Sequence, residues 1–223
     1  MNSHFGEWML AATSDAGFTV KDILLTGRVQ ISTDDLRAHL TIRENMPIFG
    51  VSIAEAQKSL MNLPWVRSVS ISRRLPDKII VELKEREPVA LWQYRKKISL
   101  IDQDGIVLTA HNLSAWKHLP LIVGADAQKH IMEMIQLLNA EPLLARDVVS
   151  ATRVGGRRWD LHLKNGLSIK LPERDMELAL RRLAVMEQQE NILGRSISGI
   201  DLRHPERVVV TPVIDNNNKK TTI

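Results

Sequence analysis

The amino-acid sequence predicts an α+β protein, in which an N-terminal β-α-α-β-β domain is followed by a mixed β-rich domain with two helices. Early in the chain, two segments with apolar residues at helical spacing lie between a first strand and a long hairpin. After Glu87-Pro88, short segments of alternating apolar and polar residues predominate. Because proline interrupts a strand ladder, we place the domain boundary at this dipeptide, with domains at residues 17–87 and 88–213.

The first domain begins with a strand, predicted over Phe18–Thr26 and ending at Gly27. Ser32 and Ser52 each precede a segment with helical spacing, and serine is a favoured cap of a helix N-terminus. The first helix also has acidic residues in its opening turn, where the helix dipole favours them. The second helix is expected to stop within Asn62-Leu63-Pro64, because the residue before a proline disfavours helical geometry.

A long antiparallel hairpin completes the first domain. Val69 and Ile71 alternate with serines, and Ile79 and Val81 alternate with other residues, on the two sides of a Leu75-Pro76-Asp77 turn. Alternation with a period of two gives each strand one buried face. We therefore expect this hairpin to join the first strand in a three-stranded sheet that the two helices cover.

The second domain is predicted to contain short strands and two amphipathic helices. The predicted strands include Ala90–Tyr94, Ile98–Ile101, Ile106–Leu108, Ser198–Arg203 and Val208–Thr211, and the predicted helices are His130–Asn139 and Arg174–Gln189. The last two strands form a hairpin around the segment 204–207. Residues 1–16 are expected to be flexible, and the polar residues 214–223 are expected to form a disordered tail.

The hairpin around Asn165-Gly166 allows its turn type to be predicted. All large apolar residues from 159 to 171 stand at odd positions. A two-residue loop at Asn165-Gly166 would place Leu163 opposite Ser168 and would mix the two faces of the hairpin. A three-residue loop over 164–166 places Leu163 opposite Leu167 and needs a left-handed residue at its third position, where glycine stands. We therefore predict a three-residue turn with a G1 bulge.

The composition and the motifs argue against an enzyme. The sequence has no Cys, which excludes disulfides and Cys-based zinc sites, and no His-Glu-Xaa-Xaa-His segment. Ser114 and Lys117 match the Ser-Xaa-Xaa-Lys motif of penicillin-recognising enzymes, but the companion Ser-Asp-Asn and Lys-Thr-Gly motifs are absent. Gly155-Gly156 lacks the Lys-Ser/Thr that follows in a phosphate-binding loop. We predict no catalytic residues, no cofactor and no metal site.

The net charge of +4 permits contact with nucleic acid or an anionic membrane but does not argue strongly for it, and we predict no nucleic-acid partner. Basic residues fall in short groups separated by acids, and the longest group is the triplet Arg95-Lys96-Lys97. No apolar run approaches the roughly 18–20 residues that span a bilayer. The polypeptide as given is therefore expected to be soluble.

A binding function is expected at the last predicted strand, which includes Val208, Val209 and Val210. The strand is short, β-branched and close to the end of the chain. At a sheet edge, such a strand has unpaired backbone groups that accept a partner strand. It can equally be a core strand that is covered on both sides, and the residues alone do not separate the two alternatives.

Several motifs, in order along the chain, resemble the FtsQ/DivIB family of bacterial cell-division proteins. The N-terminal domain resembles the family's POTRA domain at Gly27, Leu63-Pro64-Trp65-Val66, Arg74-Leu75-Pro76-Asp77 and Glu85-Arg86-Glu87-Pro88. The second domain resembles the family's β domain at Ala90-Leu91-Trp92, Leu100-Ile101-Asp102-Gln103-Asp104-Gly105, Trp159-Asp160-Leu161 and Ile200-Asp201-Leu202-Arg203. The residues of these motifs most resemble those of alphaproteobacterial members of the family.

The resemblance implies a non-enzymatic divisome scaffold that binds FtsB and FtsL and links early division proteins to septal peptidoglycan synthesis. It implies further divisome contacts through the POTRA domain. It also implies a single-pass membrane protein on the periplasmic side of the inner membrane at the septum, with residues 1–16 next to the membrane and the anchor outside this sequence. The alternative is a POTRA-type chaperone or translocation module of envelope assembly, although such proteins usually carry several POTRA units or a β-barrel.

The resemblance also implies where a partner binds. In the family, the last strand of the β domain and the nearby surface receive FtsB by strand addition. Carried over to this sequence, the partner-binding residues are Arg203, His204, Pro205, Glu206, Arg207, Val208, Val209 and Val210. Arg157 or Arg158 is the candidate ion-pair partner of an acidic FtsB segment. At His204-Pro205, the sequence departs from the Tyr-containing version that is commoner in the family.

Overall fold

The computed structural model describes residues 17–110 and 112–213, which form two compact units that separate between Glu87 and Pro88. The segments predicted to be flexible or disordered, residues 1–16 and 214–223, lie outside the described residues. Within the described ranges, none of the helices combines the length and the hydropathy that crossing a bilayer requires.

The N-terminal unit is a three-stranded sheet with two helices. Its elements are β1 (Asp22–Thr26), α1 (Thr33–His39), α2 (Ile53–Met61), β2 (Val66–Arg74) and β3 (Lys78–Glu85). β3 is the central strand, with β1 parallel to it on one side and β2 antiparallel to it on the other. The predicted β-α-α-β-β order is confirmed.

The first strand is shorter than predicted. The prediction began at Phe18, but β1 begins at Asp22. Before that residue, the chain bonds to a loop: the Val20 N–H donates to the Met46 carbonyl, and Thr19 forms a single bridge with Pro47. The β-branched residues at 19 and 20 extend the pattern of a strand, but their partner is a loop.

Both helix starts in this unit are where the serines predicted them. The Ser32 Oγ accepts the Asp35 N–H at 3.0 Å, and the Ser52 Oγ accepts the Glu55 N–H at 3.4 Å. Each bond satisfies a backbone donor that has no partner within the helix. The helices bury Leu36, Ala56 and Leu60, and α2 packs against β2.

The C-terminal unit is built on a nine-stranded sheet. Its strands are β4 (Pro88–Tyr94), β5 (Lys97–Asp102), β6 (Val107–Leu108), β7 (Leu121–Val123), β8 (Val148–Val154), β9 (Arg158–Leu163), β10 (Ser168–Lys170), β11 (Ile197–Asp201) and β12 (Val209–Pro212). Its helices are α3 (Ile131–Ala140), α4 (Pro142–Ala145) and α5 (Met176–Glu190). The strands lie in the order β12-β11-β10-β9-β8-β7-β4-β5-β6.

The hydrophobic core of this unit lies between one face of the sheet and helices α3 and α5. Trp159, Leu161 and Leu163 on β9 are at most 3% exposed, and they pack in one cluster with helix residues such as Met134 and Leu183. The intervening residues of β9 are half-buried on the opposite face. Alternation with a period of two thus separates a core face from a polar face in β9.

Among the strands and α-helices of this unit, three were not predicted from the sequence: β7, β8 and the one-turn helix α4. β8 was not predicted because Arg153, a charged residue, lies on its core face, opposite Trp159. The Arg153 side chain is only 5% exposed and is held by Asp126 and Glu133, with atom separations of 3.3 and 3.5 Å. A buried, paired arginine breaks the alternation that identifies a strand in the sequence.

The predicted turn between β9 and β10 is confirmed. The Leu163 N–H donates to the Leu167 carbonyl at 2.9 Å, so these two residues face each other across the hairpin. The Gly166 N–H donates to the Leu163 carbonyl at 3.0 Å, and Gly166 has a φ of +86°. The loop therefore has three residues, with glycine in the left-handed position.

Candidate functional site

The last strand of the chain, β12, lies at one end of the nine-stranded sheet. It pairs with β11 alone among the described residues, and all four of its residues are exposed. Of the two alternatives that the residues left open, the structure therefore shows an edge strand and not a covered core strand. The opposite end of the sheet is formed by β6, which has only two residues.

The backbone of β12 presents specific groups to solvent. The Leu202 N–H donates to the Lys170 carbonyl, so the backbone groups of Leu202 point toward β10 and those of its neighbour Asp201 point toward β12. Asp201 faces Val209, whose N–H and C=O are therefore turned inward. The N–H and C=O of Val210 then point away from the sheet, because these directions alternate along a strand. Val210 thus offers the donor and acceptor that an added strand needs.

The side chains of β12 divide between the two faces of the sheet. Val210 lies opposite the buried Ile200 on the core face, and Val209 lies opposite Asp201 on the polar face. Their exposed fractions are 39% and 43%. Val208, just before the strand, is half-buried and packs against the core cluster. A partner strand at this edge would meet one valine on each face.

The turn before β12 is fixed by two arginines. The Arg203 guanidinium donates to both carboxylate oxygens of Asp201, at 2.6 to 3.0 Å, and its backbone N–H donates to the same carboxylate. On α5, the Arg182 guanidinium donates to the Pro205 carbonyl. These bonds anchor the turn at both of its sides, while residues 203–207 remain exposed.

The ion pair between Asp201 and Arg203 sets the charge of the turn. Hydrogen bonds from the Arg203 side chain lower the pKa of the Asp201 carboxyl to about 2, against the opposing effect of burial. The same contact raises the pKa of the Arg203 guanidinium. Both groups therefore stay ionised at neutral pH. Any partner that contacts Arg203 meets a guanidinium that is already paired with Asp201.

The candidate ion-pair residues Arg157 and Arg158 lie at the same end of the sheet as this turn. Arg158 begins β9, and the pairing of β9 with β10 and of β10 with β11 brings its start level with the end of β11. The Arg157 Nε is 3.7 Å from Glu173, and the Arg158 Nε is 3.5 Å from Asp160. Arg157 is the more accessible of the two, with 63% of its side chain exposed against 23% for Arg158.

Sequence reasoning missed a groove beside the edge strand on the polar face of the sheet. It has a volume of about 270 Å³ and is lined in part by Lys170, Gly199, Val209 and Thr211. Gly199 lies between Ser168 and Thr211 in neighbouring strands, and its missing side chain opens the groove. Only the order of the strands brings these residues together, and the sequence did not predict that order.

The structure does not assemble the catalytic features considered from the sequence. Ser114 and Lys117 are both exposed, at a 3-10 turn over Leu113–Trp116. Among the described residues, no group of His, Asp and Glu is arranged to hold a metal ion.

Two family profiles match the chain, one on each unit. The profile described as "Cell division protein FtsQ/DivIB, C-terminal" matches residues 90–203. The profile described as "POTRA domain, FtsQ-type" matches residues 18–86. These matches define a POTRA-bearing protein of bacterial cell division.

Curated relatives agree with the profiles. A protein named cell division protein FtsQ from Agrobacterium fabrum is 35% identical over 198 residues, which are 89% of this chain and 62% of that protein. Proteins of the same name from Rhizobium meliloti and Rickettsia bellii are 34% and 31% identical, and the aligned parts cover 68% and 74% of their lengths. The chain belongs to the FtsQ/DivIB family of cell-division proteins.

The solved structures that match include that of the major extracytoplasmic domain of the trans isomer of the cell-division protein DivIB from Geobacillus stearothermophilus. The match covers 50% of this chain and 99% of that domain, at 16% identity and a TM-score of 0.33. A score this low carries no weight, and the family assignment rests on the sequence matches.

Proposed function

We propose that this chain is a non-enzymatic scaffold of the bacterial division machinery that binds FtsB and FtsL. In this role it links early division proteins to septal peptidoglycan synthesis, on the periplasmic side of the inner membrane at the septum. Membership of the FtsQ/DivIB family supports the setting. The single observation that supports the mode of binding is the outward backbone of β12, which lies at the edge of the sheet.

Strand addition at β12 is the binding mode that this edge favours. An added strand gains main-chain hydrogen bonds to Val210 and side-chain contacts with Val209 on one face and Val210 on the other. The exposed turn residues 203–207 lie next to this edge, where they can contact the partner. Within the set 203–210, we assign contact roles to all residues except Val208, whose side chain packs inward.

Arg157 is the better candidate for an ion pair with an acidic segment of FtsB. Its guanidinium is more exposed than that of Arg158, and its contact with Glu173 is long. Arg158 is held closer to Asp160, on the polar face of the sheet. An incoming carboxylate that pairs with Arg157 therefore has only this weak existing ion pair to replace.

Two further assignments accompany this proposal. We assign residues 17–87 to a POTRA domain that serves other divisome contacts, and residues 88–213 to the β domain that receives FtsB. The match of the second unit to the C-terminal profile of the family favours this function over that of a POTRA-type module of envelope assembly. The exposed positions of Ser114 and Lys117 support a non-enzymatic role.

The binding mode is tested by two proline variants in the same strand. Val210→Pro removes an outward N–H that the sheet does not use, so the fold should survive while affinity for a periplasmic FtsB peptide falls at least tenfold. Val209→Pro removes an inward N–H and should instead break the pairing of β12 with β11. Val210→Thr is the matched control, because it changes the side chain and keeps the backbone donor.

The outcomes separate the mode of binding from the fold. Titration calorimetry should show binding by the wild type and by Val210→Thr, and weak or no binding by Val210→Pro at an unchanged melting temperature. Full affinity of Val210→Pro would eliminate strand addition at this edge. No binding by the wild type would overturn the assignment of FtsB as the partner.

A further inference from the structure

The turn between β4 and β5 has a backbone that does not suit its residues. Tyr94 pairs with Lys97, so the loop consists of Arg95 and Lys96 alone. Their φ values are +49° and +66°, as in a type I′ turn, for which Asn-Gly is the preferred sequence. This left-handed region is unfavourable for a residue with a Cβ, because the Cβ comes too close to the following carbonyl oxygen. Two long cationic side chains therefore occupy the positions where the backbone disfavours them.

An aromatic stack supports these cations. The Arg95 guanidinium lies 5.1 Å from the centre of the Tyr94 ring, and that ring stacks on Trp92 at 6.0 Å with the two planes 5° apart. The Trp92 indole N–H donates to the Gly124 carbonyl at 2.8 Å, which fixes the base of the stack. The arginine thus packs on an aromatic pair that is hydrogen-bonded to the neighbouring loop.

The three cations at this tip lack acidic partners within the described part of the chain. Arg95, Lys96 and Lys97 are all exposed, and the ion pairs of residues 17–110 and 112–213 involve other residues. In contrast, Arg153, Arg157 and Arg158 in the same unit each lie within 4 Å of a carboxylate. The tip therefore carries three uncompensated positive charges on three consecutive residues.

We propose that this tip, residues 94–97, binds the surface of an anionic phospholipid bilayer. Three adjacent cations on a narrow turn complement a dispersed field of negative headgroups, whereas a single small anion needs donors that converge in a pocket. Four grooves of this unit are lined by other residues. Tyr94 beside the cations, and Ile98, which is 40% exposed, are side chains that suit the lipid–water interface.

The test uses the full chain and a variant that removes charge while it relieves the backbone. Arg95→Asn/Lys96→Gly installs the preferred type I′ sequence, so the melting temperature should rise or stay the same. Co-sedimentation with vesicles of phosphatidylglycerol and phosphatidylcholine should show wild-type binding that is lost in high salt. The variant should bind roughly 10- to 30-fold more weakly, since each cation near an anionic surface contributes about 1 kcal/mol.

Lys58→Gln/Lys117→Gln is the matched control, because it removes the same net charge from two other exposed positions. Its binding to the same vesicles should stay within about twofold of the wild type, because neither lysine belongs to the proposed contact at residues 94–97. Equal losses in the two double variants would overturn the proposal in favour of net charge alone. Wild-type binding to heparin with none to anionic vesicles would overturn it in favour of a polymeric anion. Absence of both would overturn it outright.

Discussion

At the scale of single residues, the motifs that carry the family resemblance hold turns and loops in place. A Cβ at Gly27, which has a φ of +80°, would overlap the Leu83 carbonyl oxygen. The fully buried Asp102 accepts the backbone N–H groups of Asp104 and Ile106 at 3.0 and 2.8 Å. These two residues therefore have a structural role in this chain, one in each unit.

Glu85 gives the clearest test of this structural role. Its carboxylate accepts three consecutive backbone N–H groups, those of Val29, Gln30 and Ile31, at 2.7 to 3.0 Å. Glu85→Gln removes the charge and leaves one acceptor oxygen, so we expect the free energy of unfolding of the N-terminal unit to fall by about 1–3 kcal/mol. Chemical denaturation measures it. Glu82→Gln, three residues earlier on the exposed side of β3, is the control, and an equal loss in both would contradict the anchoring role.

Asp201 predicts a specific dependence of stability on pH. Because Arg203 lowers the pKa of Asp201 from 3.8 to about 2, the ionised carboxylate stabilises the folded state above about pH 4. This contribution is lost as the pH falls from about 4 to about 2, where the folded protein also takes up the proton. Asp201→Asn should therefore be less stable than the wild type near neutral pH, and the difference should shrink toward zero at the acid end. A difference that is constant with pH in thermal denaturation would refute this ion pair as the cause.

At the scale of elements, the hairpin of β9 and β10 shows what the local pattern of apolar residues can predict. The odd positions of its apolar residues predicted both the register and the length of its turn, because only one loop length keeps them on one face. The same reasoning failed for β8, where the buried Arg153 interrupts the pattern. Its partners, Asp126 and Glu133, come from a different part of the chain, and no local window contains them.

Gly166→Val tests the turn directly. A Cβ at Gly166 would meet no atom within 4 Å, so the entire cost comes from the left-handed backbone, which has a φ of +86°. We expect the free energy of unfolding to fall by about 1–2 kcal/mol. Gly166→Asn should lower the free energy of unfolding by a smaller amount, because asparagine tolerates this conformation. A valine variant with the melting temperature of the wild type would rule out the G1-bulge geometry.

At the scale of the whole molecule, the feature on which the proposed binding mode depends is one that the sequence left open. Whether β12 is an edge strand depends on the order of nine strands, and that order is set by three parallel pairings: β4 with β7, β7 with β8, and β10 with β11. These pairings join segments separated by loops and helices, so no local pattern predicts them. The family resemblance implied where the proposed site lies, and the sheet order shows that β12 there is an edge strand.

The central claim, strand addition at the outer edge of β12, is tested most directly by amide hydrogen exchange at individual residues. In the free chain, the amides of Val209 and Thr211, which face β11, should exchange more slowly than the outward amide of Val210. Saturation with a periplasmic FtsB peptide should slow the Val210 amide markedly and change the other two little. A peptide that binds while the Val210 amide exchanges at its free rate would contradict the account.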